Sequence, residues 1–187
     1  LNSINGSTSA ATQMLKAKVS KTGYENTDKS SEDLQNAIDK LAGKKSTVFK
    51  DARESKDTSK VTAAAQELID KYNSLVEVMS KTSSSLDEFY KKALKGLPES
   101  IKESLEKVGI TYNSDGTLEV DSDKLKKADV DSLEKIFGSD SEFMKKLSFV
   151  TDRIESNAEA NLQSVSSTYS STADIMSSFN SSKYDFL

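Results

Sequence analysis

The chain has 187 residues, of which 35% are hydrophobic and 30% are charged, with only 7 glycines and 1 proline. This composition favours helices with narrow apolar stripes over a thick globular core. The formal net charge is −4 and the acidic and basic residues are interspersed, which argues against a surface for nucleic acid or anionic membrane and favours protein partners. Cysteine, histidine and tryptophan are absent, which excludes disulfides, thiolate or imidazole metal sites, thiol nucleophiles and histidine-based catalytic triads.

The amino-terminal part predicts a flexible segment followed by the start of a stalk. Residues 1–30 are expected to be flexible apart from a short helix at Thr8–Val19, which Gly23 and the polar run after it would end. Ser31 is followed by two acidic residues, a pattern typical of a helix start. Residues 31–98 are therefore expected to form the first half of a helical stalk.

The strongest periodicity lies between Val61 and Ala93, where apolar residues repeat with heptad spacing and no phase slip. One long helix is expected there. Gly96 and Pro98 would end it, because glycine suits a left-handed cap and proline disfavours helical geometry in the preceding residue. The part of the predicted helix-packing seam on this helix consists of Leu68, Tyr72, Leu75, Met79, Leu86 and Phe89.

Residues 99–141 predict a small α+β head that contains a β-hairpin. Two runs, 110–112 and 118–120, alternate apolar and polar residues, and the Asp115-Gly116 pair between them is favoured where the backbone must adopt positive φ. A hairpin of this size is marginal in water by itself, so its apolar face is expected to rest on neighbouring helices.

The same hairpin carries part of a calcium-loop pattern. The segment 113–116 matches three positions of the EF-hand spacing, but the first and last ligand positions would fall on Thr111 and Ser122, so essential carboxylate oxygens are missing. The alternating acidic residues of 119–123 could hold a cation or act as an acid–base pair, but a helix cap with solvated carboxylates is the simpler interpretation. No catalytic, metal or cofactor site is expected.

A second long helix is predicted from Glu142 onward, in a segment, 142–187, that ends in an assembly tail. Its seam residues are Leu147, Val150, Ile154 and Leu162. Successive four-residue steps form a stutter in this stripe, which should locally unwind a left-handed supercoil. Past Gln163 the chain is rich in serine and threonine while the apolar stripe persists, which suggests folding on a partner. The predicted assembly interface consists of Met176, Phe179, Tyr184, Phe186 and Leu187.

Together these elements predict a mainly α fold: an elongated antiparallel helical bundle or coiled coil with a small β-hairpin head. The helices at 61–93 and 142–180 are expected to pack antiparallel through their apolar stripes, with the hairpin closing the distal end.

Three blocks of sequence carry a pattern shared with a known family. They are A-A-A-Q-E-L-I-D-K-Y-N-S-L-V at Ala63–Val76, V-G-I-T-Y-N-S-D-G-T-L-E-V-D-S-D-K-L at Val108–Leu125 with L-E-K-I-F at Leu133–Phe137, and T-A-D-I-M-S-S-F-N-S-S-K-Y-D-F-L at Thr172–Leu187. They resemble the carboxyl-terminal region of flagellar hook-associated protein 2, the filament cap protein family. That family shows a tyrosine and asparagine pair in its long helix and an aspartate-glycine turn in its hairpin. Its distinctive amino-terminal segment and large outer domains are not recognisable here.

The resemblance implies a structural protein of the bacterial flagellum rather than an enzyme. It implies secretion through the flagellar export apparatus, assembly as a ring-like homo-oligomer at the filament tip, and promotion of flagellin assembly there. The implied partners are further copies of the chain, flagellin and hook–filament junction proteins, with no nucleic acid, no membrane insertion and no cofactor. A stand-alone coiled-coil interaction module of a cell surface or secretion system is the alternative.

Overall fold

The computed structural model describes the backbone of residues 4–181 and the side chains of residues 11–167 and Ser170. In chain order the elements are α1 (Ile4–Ala42), α2 (Val48–Ser55), α3 (Ser59–Met79), α4 (Ser85–Glu99), α5 (Lys102–Lys107), β1 (Ile110–Tyr112), β2 (Leu118–Val120), α6 (Ser122–Lys127), α7 (Val130–Phe137) and α8 (Glu142–Ser181). The predicted mainly α fold with a small β-hairpin is confirmed. None of the helices in the described range is both long and apolar enough to cross a membrane.

The two longest helices, α1 and α8, lie side by side and run antiparallel. Gln35 of α1 donates a hydrogen bond to Ser148 Oγ, near the start of α8, at 2.9 Å. Towards the other end of the pair, Lys21 of α1 and Val165 of α8 line the same shallow groove. The other side of α1 packs against α3, where Lys71 pairs with Asp33 at 3.2 Å, and α4 packs on α8.

The continuity of α1 corrects the predicted break after Gly23. The polar residues of this stretch bond within the helix: Thr27 Oγ1 donates to the Gly23 carbonyl at 3.0 Å and Ser31 Oγ donates to the Thr27 carbonyl at 2.9 Å. Both side chains are buried, so this polar stripe faces protein and not solvent. Tertiary packing therefore stabilises a helix that local propensity alone does not predict.

The long helix expected from Val61 to Ala93 is two helices, α3 and α4, separated by a turn at residues 80–84. Ser84 caps α4: its hydroxyl accepts from the Asp87 N–H, and the Asp87 carboxylate accepts from the Ser84 N–H, both at 3.1 Å. This reciprocal capping box is readable in the sequence as a serine followed three residues later by an acid. The uninterrupted heptad pattern obscured it.

The core lies where α1, α3 and α8 meet the head. The largest fully buried side chains are Tyr72, Phe137, Leu34, Leu41, Leu68, Ile69, Leu75, Met79, Leu94, Leu105, Ile110 and Leu133. Burial of each Leu, Ile, Met or Phe of this set stabilises the fold by about 1.5–3 kcal/mol relative to exposure. They come from five helices and one strand, so the head belongs to the same core as the bundle.

The pairing of helices differs from the prediction. In the described part of the chain α3 and α8 share no extensive interface, because α8 lies along α1 and α1 lies along α3. The direct seam expected between residues 61–93 and 142–180 is therefore wrong for the α3 part, whereas α4 does contact α8. The prediction treated residues 1–30 as flexible apart from a short helix, whereas residues 4–30 belong to the helix against which both α3 and α8 pack.

The hairpin docks on α3 through two neighbouring polar side chains. Strands β1 and β2 are antiparallel, with Ile110 opposite Val120, and Gly116 in the turn has φ +90°. Tyr72 OH donates to the Gly116 carbonyl at 2.9 Å. Asn73 bonds both backbone groups of Leu118: Nδ2 donates to the carbonyl at 2.7 Å and Oδ1 accepts from the N–H at 2.8 Å. The tyrosine–asparagine pair therefore fixes the position of the hairpin.

Candidate assembly interface

Among the described side chains, those of α1 and α8 farthest from the hairpin form a two-helix extension without a core of its own. We call residues 11–26 of α1 together with residues 159–167 of α8 the distal helix pair. None of the described side chains in it is fully buried, whereas Thr27 in α1 and Ala158 in α8, which border it, are buried. The pair thus begins where the core ends.

The core ends there because the neighbouring helices turn back. The turn between α3 and α4 reaches α1 at Gly23, where a Cβ would lie 3.8 Å from the Thr82 methyl group. The contacts of α4 start at the same level, since Asp87 is bonded by Tyr24 of α1 and Asn157 of α8. Beyond this level the described residues supply only two helices, and two helices cannot enclose a core.

The Asp87 side chain links α4 to α1 and α8 by hydrogen bonds at the base of the distal helix pair. Its side chain is 3% exposed, and its carboxylate accepts from Asn157 Nδ2 at 2.8 Å, Ser84 N–H at 3.1 Å and Tyr24 OH at 3.4 Å. Burial and this carboxylate together raise the pKa of Tyr24 above its usual value. Because the buried carboxyl group accepts from several donors, it joins α1, α4 and α8.

The apolar surface of the distal helix pair is only partly covered. Leu15 is 63% exposed and Val19 is 66% exposed. The two residues are four positions apart, so they lie on the same side of α1. Met14, Ala17, Leu162 and Val165 are partly buried. The two helices therefore cover part of their apolar surface against each other and leave an aliphatic strip facing solvent.

An acidic trio lies where α1 and α8 meet, at the base of the distal helix pair. Carboxylate oxygens of Asp28, Glu155 and Glu159 lie within 4.8 Å of one another. Partial burial raises the pKa of Glu155, and the charges of Asp28, Glu159, Asp152 and Glu32 raise it further. Two of the three are half-buried and the third is exposed, and nothing beyond proximity makes them a metal site. Their main effect is repulsion between the two helices.

The acidic groups of the hairpin have local structural roles. Asp115 Oδ1 accepts from Thr117 N–H at 2.9 Å and from Thr117 Oγ1 at 2.6 Å, and these bonds lower the pKa of Asp115. Asp121 caps α6 by accepting from the N–H groups of Asp123 and Lys124. Asp115 thus stabilises the hairpin turn and Asp121 caps a helix, and neither role requires a bound cation.

The residues predicted for the helix seam divide into three groups. Leu68, Tyr72, Leu75, Met79, Leu147 and Ile154 are buried, and Val150 and Leu162 are partly buried. Leu86 and Phe89 are exposed, which corrects their assignment to the seam. The turn at residues 80–84 reorients α4, so that Asp87 and Leu94 face the protein and Leu86 and Phe89 face away.

The predicted assembly interface lies outside the described side chains. Met176 and Phe179 lie in α8, where the backbone is described but their side chains are not. Tyr184, Phe186 and Leu187 lie outside the described residues. Their role remains a prediction. Leu15 and Val19 were not identified as interface residues from the sequence. The signal was their four-residue spacing in a segment without apolar neighbours to cover them.

Comparison with protein families relates the chain to a known family. The family model described as the carboxyl terminus of flagellar hook-associated protein 2 matches residues 92–186, which is half of the chain and includes the hairpin and α8. Comparisons with curated proteins and with solved structures find no match. The match confirms the resemblance seen in the sequence and favours a flagellar protein over a stand-alone coiled-coil module. This chain belongs to the flagellar hook-associated protein 2 family, the filament cap proteins of the bacterial flagellum.

Proposed function

We propose that this protein assembles with further copies of itself at the tip of the flagellar filament and promotes the addition of flagellin there. The role is structural and not enzymatic, and it requires secretion to the growing end. Flagellin and the hook–filament junction proteins are the proposed contacts along the filament axis. Membership of the filament cap family supports this class of function, and the distal helix pair supports a mechanism for assembly.

The observation that carries the mechanism is the lack of a core in the distal helix pair. Helices of globular proteins are stabilised mainly by burial of an apolar face, and this pair leaves Leu15 and Val19 in solvent. Covering such a strip with helices from other copies would complete a multi-helix bundle, in which each chain supplies two antiparallel members. Association then stabilises the helices and joins the subunits in one step.

A genetic complementation experiment tests the proposal. Cells lacking the native gene should secrete flagellin as unassembled monomer, and re-expression of the protein should restore filaments visible by electron microscopy. The double variant Leu15→Asp, Val19→Asp should be secreted at normal levels and fail to restore filaments. Its matched control, Gln13→Asp with Ser20→Asp, adds the same charge at exposed polar positions of the same helix and should restore them.

Two results would overturn the proposal. One is normal filament growth in cells that lack the gene. The other is full restoration by the Leu15→Asp, Val19→Asp variant, which would remove the role given to the distal helix pair. Circular dichroism of the purified variants shows whether the helical content of the bundle is retained, so a folding defect is recognised separately.

A further inference from the structure

We propose that the solvent-facing side of α4 binds an acidic surface on α1 and α8 of a second copy of this chain. The inference rests on the proposed self-assembly and names the two surfaces that meet in one contact between neighbouring subunits. We call these surfaces the α4 face, formed by Leu86, Phe89, Ala93 and Lys92 with Lys95 at its edge, and the acidic face, formed by Asp28, Glu32, Asp152, Glu155 and Glu159.

The α4 face is an apolar strip that the chain itself leaves uncovered. Leu86 is 47% exposed and Phe89 is 64% exposed. Phe89 meets the Tyr90 ring edge-on, with centroids 5.5 Å apart and planes at 67°, so much of its own ring stays in solvent. Ala93 is partly buried one turn on, and space beside Gly96 is open, since a Cβ there would meet nothing within 4 Å. Exposed aromatic and aliphatic groups adjoining one another are typical of protein contact surfaces.

Three lysines and two glutamates of α4, Lys91, Lys92, Lys95, Glu88 and Glu99, line one groove beside this strip. Lys92 is exposed and Lys95 is half-buried, and neither forms an ion pair within the described part of the chain. The stem of Lys95 lies against Gly116, and its ammonium is near enough to Asp115 to help lower the pKa of that carboxyl. Lys91 differs, because it pairs with Glu88 on the same helix. Lys92 is therefore the cation most available to an incoming acidic surface, with Lys95 beside it at the edge next to the hairpin.

The acidic face has the complementary character. Its five carboxyl groups lie along the junction of α1 and α8, and three of them have oxygens within 4.8 Å of one another. The neighbouring cation Lys29 is directed to Asp33 instead, at 3.9 Å. At one end of the face Phe149 is 60% exposed, with the Arg153 guanidinium 5.0 Å from its ring centre. An uncompensated acidic surface bordered by an exposed ring matches an apolar strip bordered by lysines.

One molecule cannot bring its own two faces together. Asn157 of α8 bonds Asp87 and therefore points at α4. Glu155 and Glu159 are each two residues away from it, and side chains two positions apart on a helix point about 160° away from each other. The α4 face and the acidic face thus look out from different sides of the molecule. A contact between different surfaces of identical chains is heterologous, and repetition of it closes into a ring when the rotation allows.

Cysteine cross-linking tests the contact without background, because the chain has no cysteine of its own. Full-length protein carrying Phe89→Cys is mixed with protein carrying Glu159→Cys and oxidised mildly. A mixed disulfide dimer is expected to dominate. Lys50→Cys in place of Phe89→Cys is the control, because Lys50 is exposed on α2, and it should give no mixed dimer above background. Dominant Phe89→Cys homodimers, or a mixed yield no higher than the control, would overturn the inference.

Sedimentation velocity adds a charge-reversal test. Phe89→Asp should weaken self-association by about tenfold or more. Lys92→Glu with Lys95→Glu should weaken it severalfold, and adding Glu155→Lys and Glu159→Lys to the same chain should restore it. Unchanged association in the first two variants, or no restoration in the fourfold variant, would overturn the inference.

These outcomes are separable from those of the proposed function. If the α4-face variants associate normally while Leu15→Asp, Val19→Asp abolishes filament growth, the inference fails and the proposed function stands. If cells lacking the gene grow normal filaments, the proposed function fails, and cross-linking still decides whether the two faces meet.

Discussion

Thr151 places a hydroxyl group in the core without a partner. The residue is fully buried in α8, and its Oγ1 has no hydrogen bond. Other buried hydroxyls of the bundle have partners: Thr27 Oγ1 donates to the Gly23 carbonyl and Tyr72 OH donates to the Gly116 carbonyl. A buried polar group without a partner carries a desolvation cost of about 1–3 kcal/mol.

Replacement of Thr151 by valine should therefore stabilise the protein. The side chains have nearly the same shape and similar helix propensity, so the change removes the hydroxyl and little else. We expect the free energy of unfolding in urea to rise by about 1 kcal/mol. Thr27→Val is the matched control: it removes a bonded hydroxyl and should give no gain. Equal effects of the two substitutions would contradict the assignment of Thr151 as unsatisfied.

Glu155 makes stability depend on pH in a defined direction. Partial burial, then the charges of neighbouring acids, raises its pKa above the ordinary value of 4.5. The folded state therefore binds this proton more tightly than the unfolded state does. The stabilisation by the protonated group is complete below pH 4.5 and is lost as the pH rises through the folded pKa.

The variant Glu155→Gln should be more stable than the native chain at pH 7, with a gain below about 1 kcal/mol because the group is partly exposed to solvent. The gain should shrink towards zero as the pH falls below 4.5. Thermal melts at several pH values measure this, with Glu106→Gln on the exposed side of α5 as the control. A gain that grows at low pH would contradict the repulsion described for the acidic trio.

At the scale of the element, the hairpin depends on α3 for its place. The side-chain amide of Asn73 bonds both the N–H and the carbonyl of Leu118, as the backbone of a neighbouring strand would. The two strands are only three residues long each, and so short a hairpin has little stability of its own. The hydrogen bonds from Tyr72 and Asn73 thus supply stability that the isolated hairpin lacks.

The substitution Asn73→Asp should detach the hairpin. A carboxylate still accepts from the Leu118 N–H but repels the Leu118 carbonyl, so we expect a loss of about 2–3 kcal/mol in unfolding free energy at pH 7. Below pH 4 a protonated carboxyl can donate again, and part of the loss should be recovered. Hydrogen exchange of residues 110–120 should accelerate.

The control for this substitution is Asn36→Asp, the same chemical change at an exposed position of α1, which should alter stability by less than about 0.5 kcal/mol. Unchanged exchange in the hairpin of the Asn73→Asp variant would contradict the docking role.

The hairpin shows what the sequence can predict. Its alternating apolar residues and the Asp115-Gly116 pair are local signals, and the structure places the strands and the positive φ where those signals indicated. The docking of the hairpin on Asn73 was not predicted, because it depends on a contact between residues 45 positions apart. The continuity of α1 past Gly23 likewise depends on contacts with residues distant in sequence, including Thr82 and Asp87.

The turn between α3 and α4 shows a different limit. Its capping box is local, but a heptad pattern extends across it without a phase slip, so two valid local signals disagreed. The capping box prevails because the turn lets Asp87 reach α1 and α8, and a continuous helix would not. The exposure of Leu86 and Phe89 follows from that reorientation, and with it the α4 face.

At the scale of the whole molecule, stability is concentrated at one end. The core joins α1, α3, α8 and the head, whereas the distal helix pair contains no fully buried side chain among those described. Local unfolding is easiest where few apolar contacts are buried. A chain built this way has a rigid body that keeps its shape and a two-helix extension that gains most from contact with neighbours.

Hydrogen exchange measured by mass spectrometry on dilute and on assembled protein tests this account most directly. In the dilute protein, amides of residues 11–26 and 159–167 should exchange far faster than those of residues 61–79 in the core. In the assembled state the distal helix pair should become strongly protected, and the core should change little. Equal protection of the distal helix pair in the dilute and assembled states would contradict the claim that assembly completes it.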